Sequence, residues 1–313
     1  MKFYYRYVSS YRVDIKNSKF LREGCAKYAK IIKFNIAISS SECVEIPGLG
    51  YGTYQTPPED TYKVVSEALS IGYRHIDTAA LYGNESGVGK AVKDSGLKRE
   101  EVFITSKLWN TERGYDKAIA SFNKTLENLE TDYLDLFLIH WPANEKQFGD
   151  EANKINLDTW RTFEDLYKEG KIRAIGVSNF MPNHLEYLLE NAEIKPMVNQ
   201  IEVHPGWPQT EAIRYCQRHD ILVEAWAPLG EAAALSNEVL QRIAKKYDHT
   251  TAQVCLRWGI QQGILPLPKS VHKNRIEENT HIFDFELTDD EMDVIGSLRN
   301  LGGQCKVPDQ VDF

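Results

Sequence analysis

From about residue 46 onward, short apolar runs alternate with amphipathic segments. The runs at 46–53 (IPGLGYGT), 73–77 (YRHID), 102–106 (VFITS) and 135–139 (DLFLI) read as strands, several bounded by Gly, Pro or Asp. Four more follow at 173–177 (RAIGV), 197–201 (MVNQI), 221–226 (ILVEAW) and 264–268 (ILPLP). The stretches between them carry a helical period. Over 58–71, Val64, Val65, Ala68 and Leu69 share one face, and similar patterns lie near 85–95, 114–129, 158–169, 182–190, 209–218, 237–247 and 288–298. Pro57 and Pro58 with Glu59 and Asp60 suit a helix start, and Gly72 and Gly170 suit helix ends.

Eight strands, each followed by a helix, predict an α/β fold: a (β/α)8 TIM barrel. Residues 34–45 (FNIAISSSECVE) predict an N-terminal β-hairpin that closes the bottom of the barrel. A doubly wound sheet is the competing architecture, but it requires a Gly-rich fingerprint at its first turn. Gly48-Leu-Gly50-Tyr-Gly52-Thr53 lacks the third glycine at that spacing. Any dinucleotide is therefore expected to bind without such a turn. The expected organisation is a basic N-terminal extension over 1–33 and a barrel over 34–313.

The net charge of −8 conceals an asymmetry, since residues 1–36 hold nine Lys/Arg against Asp14 and Glu23. The remaining chain is strongly acidic, which argues against a nucleic-acid partner. The basic head reads as a transit peptide or a disordered arm. No run approaches the roughly 18 apolar residues of a membrane span. Cys25, Cys43, Cys216, Cys255 and Cys305 are scattered and form no C-x-x-C pair. That spacing argues against a disulfide framework or a structural metal and for a reducing compartment. The chain is expected to be a cytoplasmic monomer without membrane partners, organellar targeting by the head remaining open. Asn84-Glu-Ser86 and Asn123-Lys-Thr125 match the glycosylation pattern, a short pattern that recurs by chance.

In such a barrel, functional groups sit at the C-terminal ends of the strands. The residues there are Thr53-Tyr54, Asp77 with Tyr82 in its loop, Lys107, His140, Ser178-Asn179, Asn199-Gln200, Trp226 and Lys269-Ser270. Singly, each has an ordinary explanation: a solvated lysine, a satisfied core histidine, a helix cap. Their convergence on one rim is the signal. Tyr82 is a weak acid with an ordinary pKa of about 10. A buried ammonium, supplied by Lys107, is expected to bring it down, and Asp77 to hold Lys107 charged. His140 is placed to donate to a substrate oxygen. Together these make a proton donor and an oxyanion site around one carbonyl, as reduction by hydride requires. Trp226 offers a flat face to an aromatic ring, and Ser178, Asn179 and Gln200 suit a carboxamide. Lys269 and Arg275 could clamp a phosphate after the last strand, pointing to NADPH.

At this point the chain resembles the aldo-keto reductases, NADPH-dependent carbonyl reductases on a (β/α)8 barrel. The motifs are GYRHIDTAALYGNE, ITSKLW, YLDLFLIHWP, GKIRAIGVSNF, VNQIEVHP and PKSVHKNRIEEN, in order from about residue 44 to the C-terminus. The resemblance implies a catalytic tetrad of Asp77, Tyr82, Lys107 and His140. It implies nicotinamide contacts at Ser178, Asn179, Gln200 and Trp226, with Thr53 and Leu229 as further cofactor contacts. Phosphate and adenine contacts fall on Lys269, Ser270, Arg275, Glu278 and Asn279, and substrate contacts on Tyr54 and Trp141. The modest loop after His140 and the short tail look like the bacterial-type branch, which includes diketogluconate and aldehyde reductases and protozoan prostaglandin F synthases. Departures are the glycine-free turn 39–43, Tyr247-Asp-His-Thr-Thr251, and His272 where some relatives have Arg.

The small-molecule reading is thus a carbonyl reductase. A non-catalytic NADPH-binding regulatory module and a Schiff-base aldolase using Lys107 are the alternatives. Tyr167-Lys-Glu-Gly-Lys171 fits the Y-x-x-x-K pattern of short-chain dehydrogenases but falls at a helix end on the face away from the rim.

Overall fold

The structure, a computed structural model, describes residues 33–37 and 43–313. The targeting or disordered-arm reading of the basic head and the glycine-free turn thus lie almost wholly outside the described residues. Among the described residues ten strands run β1 (Lys33–Ala37), β2 (Cys43–Pro47), β3 (Tyr51–Gly52), β4 (His75–Asp77), β5 (Phe103–Leu108), β6 (Leu134–Ile139), β7 (Ile172–Ser178), β8 (Val198–Glu202), β9 (Leu222–Trp226) and β10 (Leu265–Pro266). The first two form an antiparallel hairpin in which Phe34 faces Ile46. Both residues are buried, so the hairpin packs on the barrel core. The run read as one strand over 46–53 is split: its first part belongs to the hairpin, and only Tyr51–Gly52 joins the barrel.

The other eight strands are parallel and ordered as in the sequence, β3 to β10. Gly50 N donates to Pro266 O at 3.1 Å and Gly52 N to Pro268 O at 3.0 Å, so the edges meet and the (β/α)8 barrel closes. This seam explains the glycines that a Rossmann turn would not. A Cβ on Gly50 would sit 2.3 Å from Leu267 Cδ2, and one on Gly52 would sit 3.3 Å from Leu267 O. Prolines on the facing strand lack an N–H, so the bonds run only one way across the seam.

Helices fill the connections. Pro58–Ile71 begins with Glu59 and Asp60 in its first turn and stops at Gly72, whose φ is 125°. The helix read over 158–169 starts earlier, at Ala152. Thr251–Gln261 was not marked by an amphipathic period, because Ala252, Val254, Cys255, Leu256, Trp258 and Ile260 are all buried. A helix buried on every side, Gln253 and Arg257 included, shows no clear face to a periodicity reading. Its start is nonetheless specified locally: Thr250 caps Gln253 N, and the Gln253 side chain returns to Thr250 N. No helix among the described residues is long and apolar enough to cross a membrane.

Candidate active site

The register decides which side chains meet inside the rim. Asp77 lies opposite Thr105 on the neighbouring strand, and Lys107 is two residues further along that strand, on the same face. Lys107 is thus an interior residue of β5 rather than one that follows it. Its Nζ donates to Asp77 Oδ1 at 2.6 Å, to Thr78 O at 3.0 Å and to Tyr82 Oη at 3.2 Å. All three protons of the ammonium are therefore spoken for, and the side chain is 1% exposed.

Tyr82 closes a short turn, Ala80–Tyr82, ended by Gly83 in the left-handed region at φ 66°. The turn is pinned from behind. Asn84 donates to Thr53 O and Thr56 O and accepts from Thr78 Oγ1 at 2.8 Å. Glu85 accepts from Ser106 Oγ at 2.6 Å and from Asn128 Nδ2 at 2.9 Å. Asn84 is wholly buried, so in the fold it is a structural residue and not a glycan acceptor.

Burial pushes the Tyr82 phenol up to about 12; Lys107 lowers it and Asp77 raises it. The expected fall beside Lys107 is thus overridden by desolvation, and the phenol is a protonated acid at neutral pH. For Lys107, burial disfavours the ammonium, but Asp77 and Tyr82 more than compensate and the net shift is upward. His140 is held well below its ordinary 6.5, first by burial and then by Lys107, so its imidazole is neutral. Its Nδ1 is buried without a hydrogen-bond partner. The ring stands edge-on to Tyr82 at 5.7 Å and to Trp109 at 5.1 Å.

These groups open into a cleft of about 890 Å3, lined by Asp77, Tyr82 and His140 from the tetrad. Of the cofactor residues read from the sequence, Ser178, Asn179, Gln200, Trp226 and Leu229 line it, as do Lys269, Ser270, Arg275, Glu278 and Asn279. Tyr54 and Trp141 line it as well. Thr53 and Lys107 stand behind the wall: Thr53 is fully buried, with its hydroxyl on Asp77 O at 3.0 Å.

The residues read from the sequence as carboxamide contacts sit at strand ends. Asn179 sits at φ 63°, a left-handed conformation that asparagine tolerates better than most residues. Its Nδ2 donates to His140 O at 2.9 Å, and its Oδ1 accepts from Trp226 Nε1 at 2.9 Å. The indole is therefore held by its own ring N–H on Asn179. Gln200 Nε2 donates to Asp77 Oδ2 and to Glu224 Oε2, both at 2.8 Å. With both amide protons used, its oxygen is left to accept from a ligand. At the far end, Lys269 Nζ reaches only Gln55 O at 3.1 Å, and the exposed Arg275 guanidinium has no hydrogen bond or ion pair to the described residues.

Several contributors were absent from the sequence reading. Glu224 is a fully buried carboxyl pushed up to about 8 by burial and then by Asp77. The acid inside the apolar run ILVEAW was its one visible signal. Trp109 and Phe313 form part of the cleft wall, stacked at 5.8 Å, with Trp141 edge-on to Phe313 at 5.2 Å. The tail carrying Phe313 is held by Asn144 Nδ2 on Pro308 O and Val311 O and by His184 on Asp309. Those contacts span more than a hundred residues, which no local pattern encodes. The Y-x-x-x-K match behaves as a helix end: Lys171 pairs with Glu169 at 2.8 Å and does not line the cleft.

Known proteins resemble this chain over most of its length. Residues 48–300 match the model of the aldo/keto reductase family. Glyoxal reductase of Bacillus subtilis (strain 168) is 50% identical over 271 residues, covering 86% of this chain and 95% of that protein. The crystal structure of an aldo-keto reductase enzyme from a Medee basin deep-sea metagenome library superposes with a TM-score of 0.81 at 46% identity, covering 86% of this chain and 97% of that one. A mutant of Gox0644 in complex with NADPH gives a TM-score of 0.80 at 39% identity, covering 87% and 97%.

Proposed function

We propose that this chain, which belongs to the aldo/keto reductase family, reduces aldehydes and ketones to alcohols with NADPH, Tyr82 delivering the proton. The observation that carries the reading is the cluster of Tyr82, Lys107 and Asp77 within hydrogen-bond reach at the floor of one cleft. The cleft also suits the cofactor. Trp226 presents an indole, Gln200 a spare carbonyl oxygen, and Lys269 and Arg275 cations with few or no partners among the described residues. Ser178, Asn179 and Gln200 would hold the carboxamide, and Ser270, Glu278 and Asn279 would flank the phosphate and adenine. When bound, NADPH supplies the hydride.

The protein's own residues supply the rest. As the carbonyl oxygen gains charge it becomes a far stronger base than a phenolate, so a phenol with a pKa near 12 can protonate it. Lys107 stabilises the phenolate left behind, and Asp77 keeps Lys107 charged and aimed. Neutral His140 orients the carbonyl oxygen by donating a hydrogen bond, without competing as a stronger acid. Leu81, Trp109, Trp141 and Phe313 line the reacting end with apolar surface.

The aldolase alternative requires Lys107 as a free amine nucleophile, which calls for a depressed pKa. Its upward shift and its three donated hydrogen bonds oppose that role. A regulatory module would bind NADPH without turnover. Tyr82→Phe therefore separates the readings: NADPH binding, followed by quenching of tryptophan fluorescence, is expected to persist. Turnover of methylglyoxal or an aromatic aldehyde is expected to fall by roughly 10²–10⁴. Near-normal kcat in the variant would overturn the role of Tyr82, and no turnover in the unaltered chain would favour the regulatory module.

A further inference from the structure

A second polar cluster lies outside the tetrad, where β8 ends and the C-terminal tail returns. Glu202, His204 and Cys305 each offer one ligand-type atom, and the three atoms lie within 4.8 Å of one another. The histidine and glutamate come from the VNQIEVHP stretch, and the cysteine comes from the tail some hundred residues later. The C-x-x-C spacing sought in the sequence could not reveal such a set.

The tail is brought there by backbone bonds. Gln304 N donates to Glu202 Oε1 and Cys305 N to Glu202 Oε2, both at 2.7 Å. Each carboxylate oxygen keeps a further lone pair. His204 is fully buried, and its Nδ1 lies 2.9 Å from Pro205 O. A carbonyl can only accept, so Nδ1 carries the proton and, in a neutral ring, Nε2 presents a lone pair. That Nε2 is buried with no hydrogen-bond partner. It faces Glu202 Oε1 at 3.5 Å, too far for a good hydrogen bond. A cation between them would take a bond from each. A hydrogen-bonded second nitrogen is also what orients a metal-ligating histidine elsewhere.

The space for an ion is kept by a glycine. Gly303 lies in the left-handed region at φ 84°, and a Cβ there would fall 2.3 Å from Glu202 Oε1 and 2.4 Å from His204 Nε2. Any other residue would fill the gap between the two ligand atoms.

We propose that Glu202, His204 and Cys305 bind a thiophilic divalent ion of the zinc type, which pins the C-terminal tail to the end of β8. Bonds of about 2.0–2.3 Å place tetrahedral donors roughly 3.3–3.8 Å apart, so the present cluster closes on the ion by small side-chain shifts. One carboxylate and one thiolate neutralise the ion's two charges, with solvent completing the shell beside the half-exposed cysteine. Binding converts the Cys305 thiol to a metal-bound thiolate and releases one proton to solvent. The consequence reaches the cleft, because Gln304, Lys306 and Phe313 on the same tail line its wall.

The test uses the full chain, stripped of metal by a chelator and kept reduced with a phosphine, titrated with Co(II). One equivalent is expected to give a thiolate-to-cobalt charge-transfer band, release one proton, and be displaced by Zn(II). Cys305→Ala is expected to abolish the band and weaken binding by more than about tenfold, while Cys25→Ala/Cys43→Ala keeps both. Cys305 is partly exposed, so Cys305→Ala is expected to fold, which circular dichroism checks. No band in the unaltered chain, a band that survives Cys305→Ala, or one lost in Cys25→Ala/Cys43→Ala overturns the proposal. An independent readout is tail cleavage: Zn(II) slows proteolysis between residues 300 and 313 in the unaltered chain and not in Cys305→Ala, and equal rates count against the site.

Discussion

Glu224→Gln isolates the electrostatic cost of the floor beneath the tetrad. In the folded chain this carboxyl is fully buried, one hydrogen bond from Gln200 and 4.0 Å from His75 Nε2, which burial also keeps neutral. Asp77 lies on the other side of the same Gln200 amide, and Lys107 beyond it. Burial and Asp77 raise the group from 4.5 to about 8. Between those values the folded chain holds a proton that the unfolded chain has released. Stability from this group is therefore complete below about pH 4.5, declines as pH rises toward 8, and levels off above it. At about 1.4 kcal/mol per pH unit the whole window is worth at most about 5 kcal/mol, and relaxation of the buried cluster reduces that. The glutamine variant keeps an oxygen for Gln200 and has no charge to acquire. Its urea midpoint, compared with the unaltered chain at about pH 5, 6.5 and 8.5, is expected to gain relative stability with each step. Parallel pH profiles for the two proteins would refute the buried, protonated carboxyl.

Two further outcomes follow from the cleft and the seam. Arg275→Ala removes a cation without a partner among the described residues, so NADPH affinity is expected to drop by about 1.5–3 kcal/mol, roughly ten- to hundredfold, while NADH affinity is unchanged; fluorescence titration with both cofactors checks this, and equal losses would remove the phosphate assignment. Gly50→Ala drives a Cβ to 2.3 Å from Leu267 Cδ2 and 2.9 Å from His75 Nδ1 at the closing seam, with an expected loss of about 1–3 kcal/mol, and an unchanged thermal midpoint would show that the seam can yield.

The alternation of strand and helix, and hence the barrel, was legible in the sequence because its signals are local. Apolar runs of strand length, a 3.6-residue period over 58–71 and the Pro-Glu-Asp start at Pro58 each need only their neighbours to be recognised. Placement of Asp77, Tyr82 and His140 on one rim followed from the strand-end rule of that fold, and the cleft indeed gathers them. What local pattern lacked, periodicity could not supply: the helix Thr251–Gln261, buried on every side, the division of 46–53 between hairpin and barrel, and the tail that carries Phe313 to Trp109.

Tertiary structure alone decided the protonation of the site. The sequence placed an ammonium near a phenol and implied a lowered pKa, but desolvation depends on how much protein surrounds the pair, and burial carried Tyr82 upward instead. It likewise turned Glu224 from a residue inside an apolar run into a buried acid. Residue types and their order along the chain determined which groups could meet at the rim. Barrel closure across Gly50 and Gly52 determined that they do meet, how dry their surroundings are, and therefore which of them hold protons.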